Sequence, residues 1–552
     1  MKATIKLIAK LFIYLALYAF SLLSFKIVNS QNLTQVIKGN IVDVETQTTL
    51  PGATVVVLGT NPTLGTSTDM DGNYRIENAP LGRYSIQVAF VGYEQVVIPE
   101  VLITSSKEVV LNVGLKQSIN HIQEVVVKAH TRKDKPLNPM ATISAKSFTV
   151  EETRRYAGGL DDPARMVSAF AGVTVGNIQD NAIIIRGNSP KGVSWRLEGV
   201  EIPNPNHFAG GNVAGGGVVT VFSSQLLANS DFFTGAFPAE YGNALAGVFD
   251  MKLRSGNNEK RESTFQAGIM GIDFASEGPF VKGGKSSYLF NYRYSTLDLI
   301  SKMGLIPSEQ IPRYQDLSFK LNFPTSKAGT FSIWGVGAID NNTEPEDNDS
   351  VNWETDWDRT SYDWNISMGA AGITHKILLG SKTYLNTSLA ASGTVNTMFG
   401  ERYDDLLVLR PNWDFTDKSG RVGVNTFLNH KFSAKHTVRT GVNYSKILYN
   451  IDLSSTINDK PETFQNFVKQ KGSSNYAEFY IQSKYSVTHN LTANTGVNFN
   501  YFALNGNYSI DPRFSLKWDF AQNQSISFGY GKHSQLEELK IYLIKKETAG
   551  EE

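Results

Sequence analysis

Over the last half of the chain, hydrophobic and polar positions alternate with period two. Leu491, Ala493, Thr495, Val497, Phe499 and Tyr501 alternate with Thr492, Asn494, Gly496, Asn498 and Asn500. Phe514, Leu516, Trp518 and Phe520 alternate with Arg513, Ser515, Lys517 and Asp519. Phe479, Ile481, Tyr485 and Val487 alternate with Glu478, Gln482, Lys484 and Ser486. This period predicts strands. One face is apolar and aromatic and the other is charged or amide-rich. A wall between lipid and a watery lumen demands that pattern, with every backbone bond closed between neighbouring strands. About twelve such segments follow residue 257. A soluble sandwich with one wet face is the competing reading, and strands of ten or more residues argue against it. The acidic run Glu344 to Asp349 reads as a long external loop; a divalent cation there is the alternative to plain solvation.

The pattern changes toward the N-terminus. Lys2, Lys6 and Lys10 precede an apolar run from Leu11 to Phe25, which predicts a signal peptide over 1–30 with Ser30 as the cleavage candidate. A membrane anchor is the alternative, but the run falls short of the ~20 residues that span a bilayer. Residues 31–117 read as a small sandwich of short strands. These are Val36 to Asp43, Thr54 to Leu58, a hairpin from Gly65 to Ile76 turning at Asp71-Gly72, and Gly82 to Phe90. Residues 118–143 read as a linker. There a β-branched run, Val125 to Val127, precedes the charged, Pro-containing segment Thr131 to Pro139. Such a run is available for addition to another protein's sheet edge, or it is the last strand of the sandwich. In residues 144–256, Asp162-Pro163 followed by Ala164, Val167 and Phe170 predicts a short helix with Asp162 as N-cap and Pro163 at its first position, ended by Gly172.

Composition removes several function classes. There is no Cys, which excludes zinc fingers, thiol catalysis and disulfide scaffolds. The formal net charge is +0 and no basic tract stands out, so no nucleic-acid partner is expected. Asp69-x-Asp71-Gly72 brings a calcium loop to mind, but its Gly follows the second Asp directly, so a turn is the better reading. His121-Ile122-Gln123-Glu124 matches a zinc His-x-x-Glu with His207 as the distant partner, a match that arises easily by chance. The Gly- and Asn-rich stretch Asn204 to Gly217 lacks the Gly-Lys-Ser/Thr of a phosphate loop. It can present His207, Phe208 and Asn212 to a ligand, or be a turn with none. No catalysis, cofactor or metal site is expected.

Four ordered blocks remain: Ile183 to Pro190 around Arg186-Gly187, Arg196 to Ile202 around Glu198-Gly199, Gly235 to Gly242 ending Tyr241-Gly242, and Gly247 to Leu253. In order and spacing they resemble the plug domain of TonB-dependent outer-membrane receptors. One departure is Glu198-Gly199, where the family usually has Asp-Gly. Pro51-Gly52-Ala53, Asp71-Gly72-Asn73-Tyr74 and Gly92-Tyr93-Glu94 similarly resemble the carboxypeptidase-regulatory-like module that precedes the plug in receptors of the Bacteroidetes type. The resemblance implies that Arg186, Gly187, Glu198, Gly199, Tyr241 and Gly242 hold the plug together. It also implies that Glu124, Val125, Val126 and Val127 form the TonB box.

The expected fold is mostly β: a small β-sandwich, an α+β plug domain over 144–256, then over 257–552 the first part of a transmembrane antiparallel β-barrel, about 12 of about 22 strands. The C-terminal Glu547 to Glu552 lacks the terminal aromatic of such barrels, so the chain is expected to be partial. The implied function is TonB-energised uptake of a scarce solute across the outer membrane, whether siderophore, vitamin, glycan or peptide. The alternative is a non-transporting binding or signalling receptor. Implied partners are periplasmic TonB, outer-membrane lipid, an extracellular ligand and a surface lipoprotein.

Overall fold

The computed structural model describes residues 33–119 and 136–544, apart from 157, 160, 178–179, 211–212, 269–270, 304–312, 356, 458–459 and 522–523. The signal peptide, the His121 to Glu124 motif, the candidate box Glu124 to Val127, and Asn212 lie outside the described residues.

Eight strands build the N-terminal unit: β1 (Thr34–Asp43), β2 (Thr54–Leu58), β3 (Leu64–Ser67), β4 (Asn73–Pro80), β5 (Gly82–Ala89), β6 (Val96–Ile103), β7 (Val109–Val110) and β8 (Val113–Leu115). They form two sheets, β4-β1-β7 with β8 also on β1, and β3-β2-β5-β6. Ile37, Ile41, Val55, Val57, Ile76, Ile86, Val88 and Leu115 fill the space between them. The expected hairpin at Asp71-Gly72 is not one. β3 pairs with β2 and β4 pairs with β1, so the chain crosses between sheets there. The Asp69 carboxylate makes the corner by accepting the backbone N–H groups of Asp71 and Asn73. Gly72, at φ +75°, passes where a Cβ would lie 2.8 Å from the Ile41 carbonyl.

A second unit holds β9 (Ala145–Phe148), β10 (Val173–Asn177), β11 (Asp180–Ile185), β12 (Val193–Leu197), β13 (Val200–Ile202), β14 (Ser230–Phe233) and β15 (Gly247–Met251), with helices at Val150–Arg155 and Pro163–Met166. Its five-stranded sheet runs β13-β12-β15-β14-β9, with β12 and β15 parallel. β12, β14 and β15 are buried at every position, which is why they show no alternation in the sequence. Trp195 and Phe249 stack at 4.6 Å between ring centroids in this core. The second helix starts as expected: Asp162 accepts the Ala164 N–H at 2.8 Å with Pro163 in the first position. It is shorter than the sequence pattern suggests and continues as a 3-10 turn, Val167–Ala169.

The wall around this unit is one antiparallel sheet of thirteen strands in sequence order, against about twelve expected. They are β16 (Glu262–Gly268), β17 (Gly271–Pro279), β18 (Ser287–Tyr294), β19 (Arg313–Pro324), β20 (Thr330–Glu344), β21 (Thr360–Leu378), β22 (Thr383–Tyr403), β23 (Leu409–Ser433), β24 (His436–Ile457), β25 (Lys460–Ser486), β26 (Leu491–Phe502), β27 (Asn507–Ala521) and β28 (Gln524–Gly531). Phe479, Ile481, Tyr485, Phe499, Tyr501, Phe514, Trp518 and Phe520 are exposed on the outside, as their alternation predicts. The polar face behaves differently from a wet lumen. Glu478, Gln482, Lys484, Asn494, Asn498 and Arg513 are buried, because the second unit fills the interior.

Short turns at 325–329, 379–382, 434–435 and 487–490 close one end of the wall, and the longer connection 345–359 lies at the other. In barrels of this type the short turns face the periplasm. The sandwich docks on that short-turn end. Lys431 of β23 reaches Asp43 at 2.8 Å and Glu45 at 3.2 Å. Lys38 and Glu108 pair at 2.7 Å, and both bond Asn257 just ahead of β16. Burial raises the pKa of Glu108, but Lys260, Lys38 and Asn257 outweigh it and hold the carboxyl at about 2.

Candidate functional site

The site is the surface along which the enclosed unit meets the wall, and its two arcs differ. Along β18, β20 and β21, Leu289, Trp334, Val336, Ala338, Met368 and Ala370 extend the inner core outward against Ile185, Leu197 and Phe249 of the same cluster. A carboxylate clamp sits on this arc. His207 Nδ1 lies 2.5 Å from Asp340 and its Nε2 lies 3.0 Å from Asp316. Asp340 also accepts the Phe208 N–H, and Arg293 bridges Asp316 to the Thr220 carbonyl. Burial acts to lower the His207 pKa, yet the two carboxylates outweigh it and leave it raised.

Along β23 to β27 the ties are polar. Arg439 meets Glu240 at 2.7 Å and also bonds Asn429, Asn138 and the Tyr384 hydroxyl. Glu240 accepts from Asn138 and Gln482 as well. Burial alone raises the Glu240 pKa; Arg439 and the two amides reverse it and leave it lowered. Arg513 donates to the carbonyls of Phe237, Pro238 and Tyr241, and Asn498 to that of Ala239. Arg421 meets Glu201 at 2.7 Å. The segment entering this unit is fastened to the same arc. Lys484 donates to the Pro139 carbonyl at 2.7 Å, Asn494 donates to that of Met140, and Thr142 bonds Ser515 at 2.5 Å. Inside, the Asp231 carboxylate accepts the N–H groups of Leu137 and Asn138, yet burial outweighs those bonds and raises its pKa to about 6.

The residues singled out from the sequence fall into three groups. Arg186-Gly187 and Glu198-Gly199 both have positive φ at the two central positions of a tight turn, the pattern of a type I′ hairpin. Glu198 does not cap its own turn as an Asp would. Its longer carboxylate reaches the Leu253 N–H at 2.7 Å and Lys320 of β19 at 2.8 Å. Tyr241 donates its hydroxyl to Asp250 and accepts from Asn138. Gly242 sits where any Cβ would collide with Glu478 of β25. His207 and Phe208, expected at an accessible loop, are instead 0% and 5% exposed and wedged against the wall. With both ring nitrogens of His207 taken up by carboxylates, it offers a metal no lone pair. Arg196, Glu240, Arg439, Arg513 and Asp231 were not legible as functional. For Arg439 and Arg513 the one signal is a charged residue on the polar face of a wall strand whose lumen is filled; Arg196, Asp231 and Glu240 lie in the plug, where no period marks them.

A wall of long antiparallel strands, apolar outside and enclosing an α/β plug, defines a plugged β-barrel of the outer-membrane type. Two family models match: a CarboxypepD_reg-like domain over residues 37–127, and the TonB dependent receptor-like beta-barrel over 281–535. The TonB-dependent transporter Oar of Myxococcus xanthus is 24% identical over 237 residues, covering 41% of this chain and 21% of that protein. The outer membrane transporter YddB of Escherichia coli superposes with a TM-score of 0.50 at 14% identity, covering 72% of this chain and 62% of that one. The siderophore receptor PirA of Acinetobacter baumannii gives 0.50 at 16%, with 72% and 61% covered. The chain thus spans about three fifths of these solved receptors and about a fifth of the curated relative. Its residues 281–535 are a TonB-dependent receptor-like β-barrel segment, with a CarboxypepD_reg-like domain ahead of the plug.

Proposed function

We propose that this chain belongs to a receptor that binds a scarce solute outside and imports it when TonB pulls on the plug from the periplasm. One observation carries the reading. The described segment that follows the candidate box, from Leu137 to Thr142, is fastened both to the plug through Asp231 and to the wall through Lys484, Asn494 and Ser515. A pull on the linker therefore loads those bonds first, at the edge of the polar arc. TonB would engage Glu124 to Val127 by adding a strand to its own sheet. Residues 31–117 face the periplasm and 144–256 fill the lumen in this reading, with outer-membrane lipid around the wall and a surface lipoprotein as a further partner.

A second reading of the box is favoured by the CarboxypepD_reg-like match, which runs through residue 127: Val125 to Val127 then close the sandwich. One deletion separates the two. Removing Glu124 to Val127 abolishes energised uptake and leaves surface binding intact if they are the box. If uptake is normal, the box lies elsewhere.

A further inference from the structure

The external end carries a charge and an aromatic surface that the plug does not use. From Glu344 to Asp363 there are eight carboxylates and one guanidinium, Arg359, in a chain whose formal net charge is +0. Three of the seven tryptophans, Trp353, Trp357 and Trp413, lie in or beside this stretch, whereas Trp364 packs on Phe208 of the plug at 5.9 Å between ring centroids. The surface is built. Trp353 stacks on Tyr403 at 5.8 Å, its indole N–H donates to the Asp347 carbonyl, and Trp357 lies 5.8 Å from Trp413. Tyr403 donates to Asn348, and Arg359 reaches Asp405, which joins the 345–359 connection to the next one, 404–408. Despite these contacts Trp357 is 63% exposed, Val351 87% and Leu406 82%. Large apolar groups standing open among acidic ones mark a binding surface rather than a solvated loop. Asn412, beside Trp413 at the bulge where β22 meets β23, is 2% exposed, and its amide N–H2 has no partner among the described residues.

Resting on the receptor reading above, we propose that this rim binds a cationic polypeptide segment, with Lys or Arg side chains set over Trp357 and among the carboxylates. An exposed tryptophan face attracts a cation, and the surrounding carboxylates add to that attraction. The same field repels phosphorylated, sulfated or carboxylate-rich solutes.

The test uses the full chain displayed in outer-membrane vesicles. The probes are a synthetic Lys- and Arg-rich peptide, an acidic peptide of equal length, and neutral dextran. The basic peptide alone is expected to bind, with an affinity that falls as salt rises. Asp347, Asp349, Asp358 and Asp404 accept backbone N–H groups that shape the loops and are left in place. The variant Glu346→Gln/Glu354→Gln/Asp405→Asn is expected to weaken binding about tenfold and to flatten its salt dependence. Trp357→Ala is expected to weaken it with the salt dependence unchanged. Equal binding of the acidic peptide overturns the proposal, as does an unaltered affinity in the triple variant. Salt-independent binding to the unmodified chain overturns it without any variant. TonB-dependent import of another solute with no basic-peptide binding sinks this proposal alone. Salt-dependent peptide binding with no energised import supports it and counts against uptake.

Discussion

The two arcs of the wall hold the plug by different physics. On β18, β20 and β21 the contact is mainly a continuation of the apolar core, with Trp334 fully buried at its centre and one polar tie, the His207 clamp, set beside it. On β23 to β27 it is a series of discrete polar ties, from Arg421 to Arg513. Apolar contact is non-directional and resists separation over its whole area. Ion pairs and hydrogen bonds are lost within an ångström or two of movement, and water then takes the place of the partner. In the uptake proposed above, a plug pulled from the linker side is therefore expected to pivot on the first arc and part from the second. The linker bonds to Lys484, Asn494 and Ser515 lie on the parting side.

The largest effects come from breaking each arc alone. Arg439→Met leaves Glu240 buried without its countercharge, which destabilises the plug by about 3–5 kcal/mol. Arg439→Met/Glu240→Leu is expected to restore most of that in a urea unfolding midpoint. It also removes the tie meant to be broken, so the restored protein should release its plug to protease more readily when TonB is energised. Trp334→Ala on the other arc costs about 3–5 kcal/mol as a cavity. It is expected to lower the unfolding midpoint without changing TonB-dependent release. Equal release phenotypes for the two arcs would dissolve the distinction between them.

The next effect is a pH dependence. Asp231 has a carboxyl pKa near 6 in the folded chain against 3.8 ordinarily. The folded state then holds a proton that the unfolded state has lost between those values, so stability falls as pH rises from about 4 to about 6. About two units correspond to an effect of order 2–3 kcal/mol. Since Asp231 anchors Leu137 and Asn138, the loss concerns the attachment of the linker. Asp231→Asn is expected to flatten that slope in unfolding midpoints measured between pH 4 and 7. A slope that survives the substitution belongs to another group.

What the sequence showed depended on how many faces an element buries. The barrel strands were legible because one face meets lipid and the other does not, so Phe479 and Glu478 announce their sides. Strands β12, β14 and β15 are buried all round and carry no period; β12 was marked by the Glu198-Gly199 turn that follows it and β15 by the Gly247 to Leu253 block. β3 and β4 read as a hairpin because their pattern does not say which neighbour each pairs with. The ties across the lumen were hidden for a simpler reason. Arg439 and Glu240 are 199 residues apart, and His207 lies 109 and 133 residues from Asp316 and Asp340. Nothing local to His207 distinguishes a pliable display loop from one wedged between two carboxylates.

The smallest effect concerns Glu198, where the chain departs from the Asp-Gly usual in its family. At φ +52° a Glu is strained more than an Asp, which tolerates the left-handed region better. Glu198→Asp therefore relieves the turn by a few tenths of a kcal/mol. The shorter side chain loses its reach, however, to the Leu253 N–H and to Lys320 of β19. A buried charge-assisted bond of this kind is worth about 1.5–3 kcal/mol, though Lys320 keeps its bond to the Leu253 carbonyl. The balance should be a net loss of about 1 kcal/mol, seen as a small drop in the unfolding midpoint. The loss should shrink in a Lys320→Met background, where only the Leu253 N–H bond and the turn are left in the balance. If Glu198→Asp is already stabilising with Lys320 in place, the tie between this turn and β19 is weak, and the pivot side of the plug rests on Trp334, its apolar neighbours and the His207 clamp.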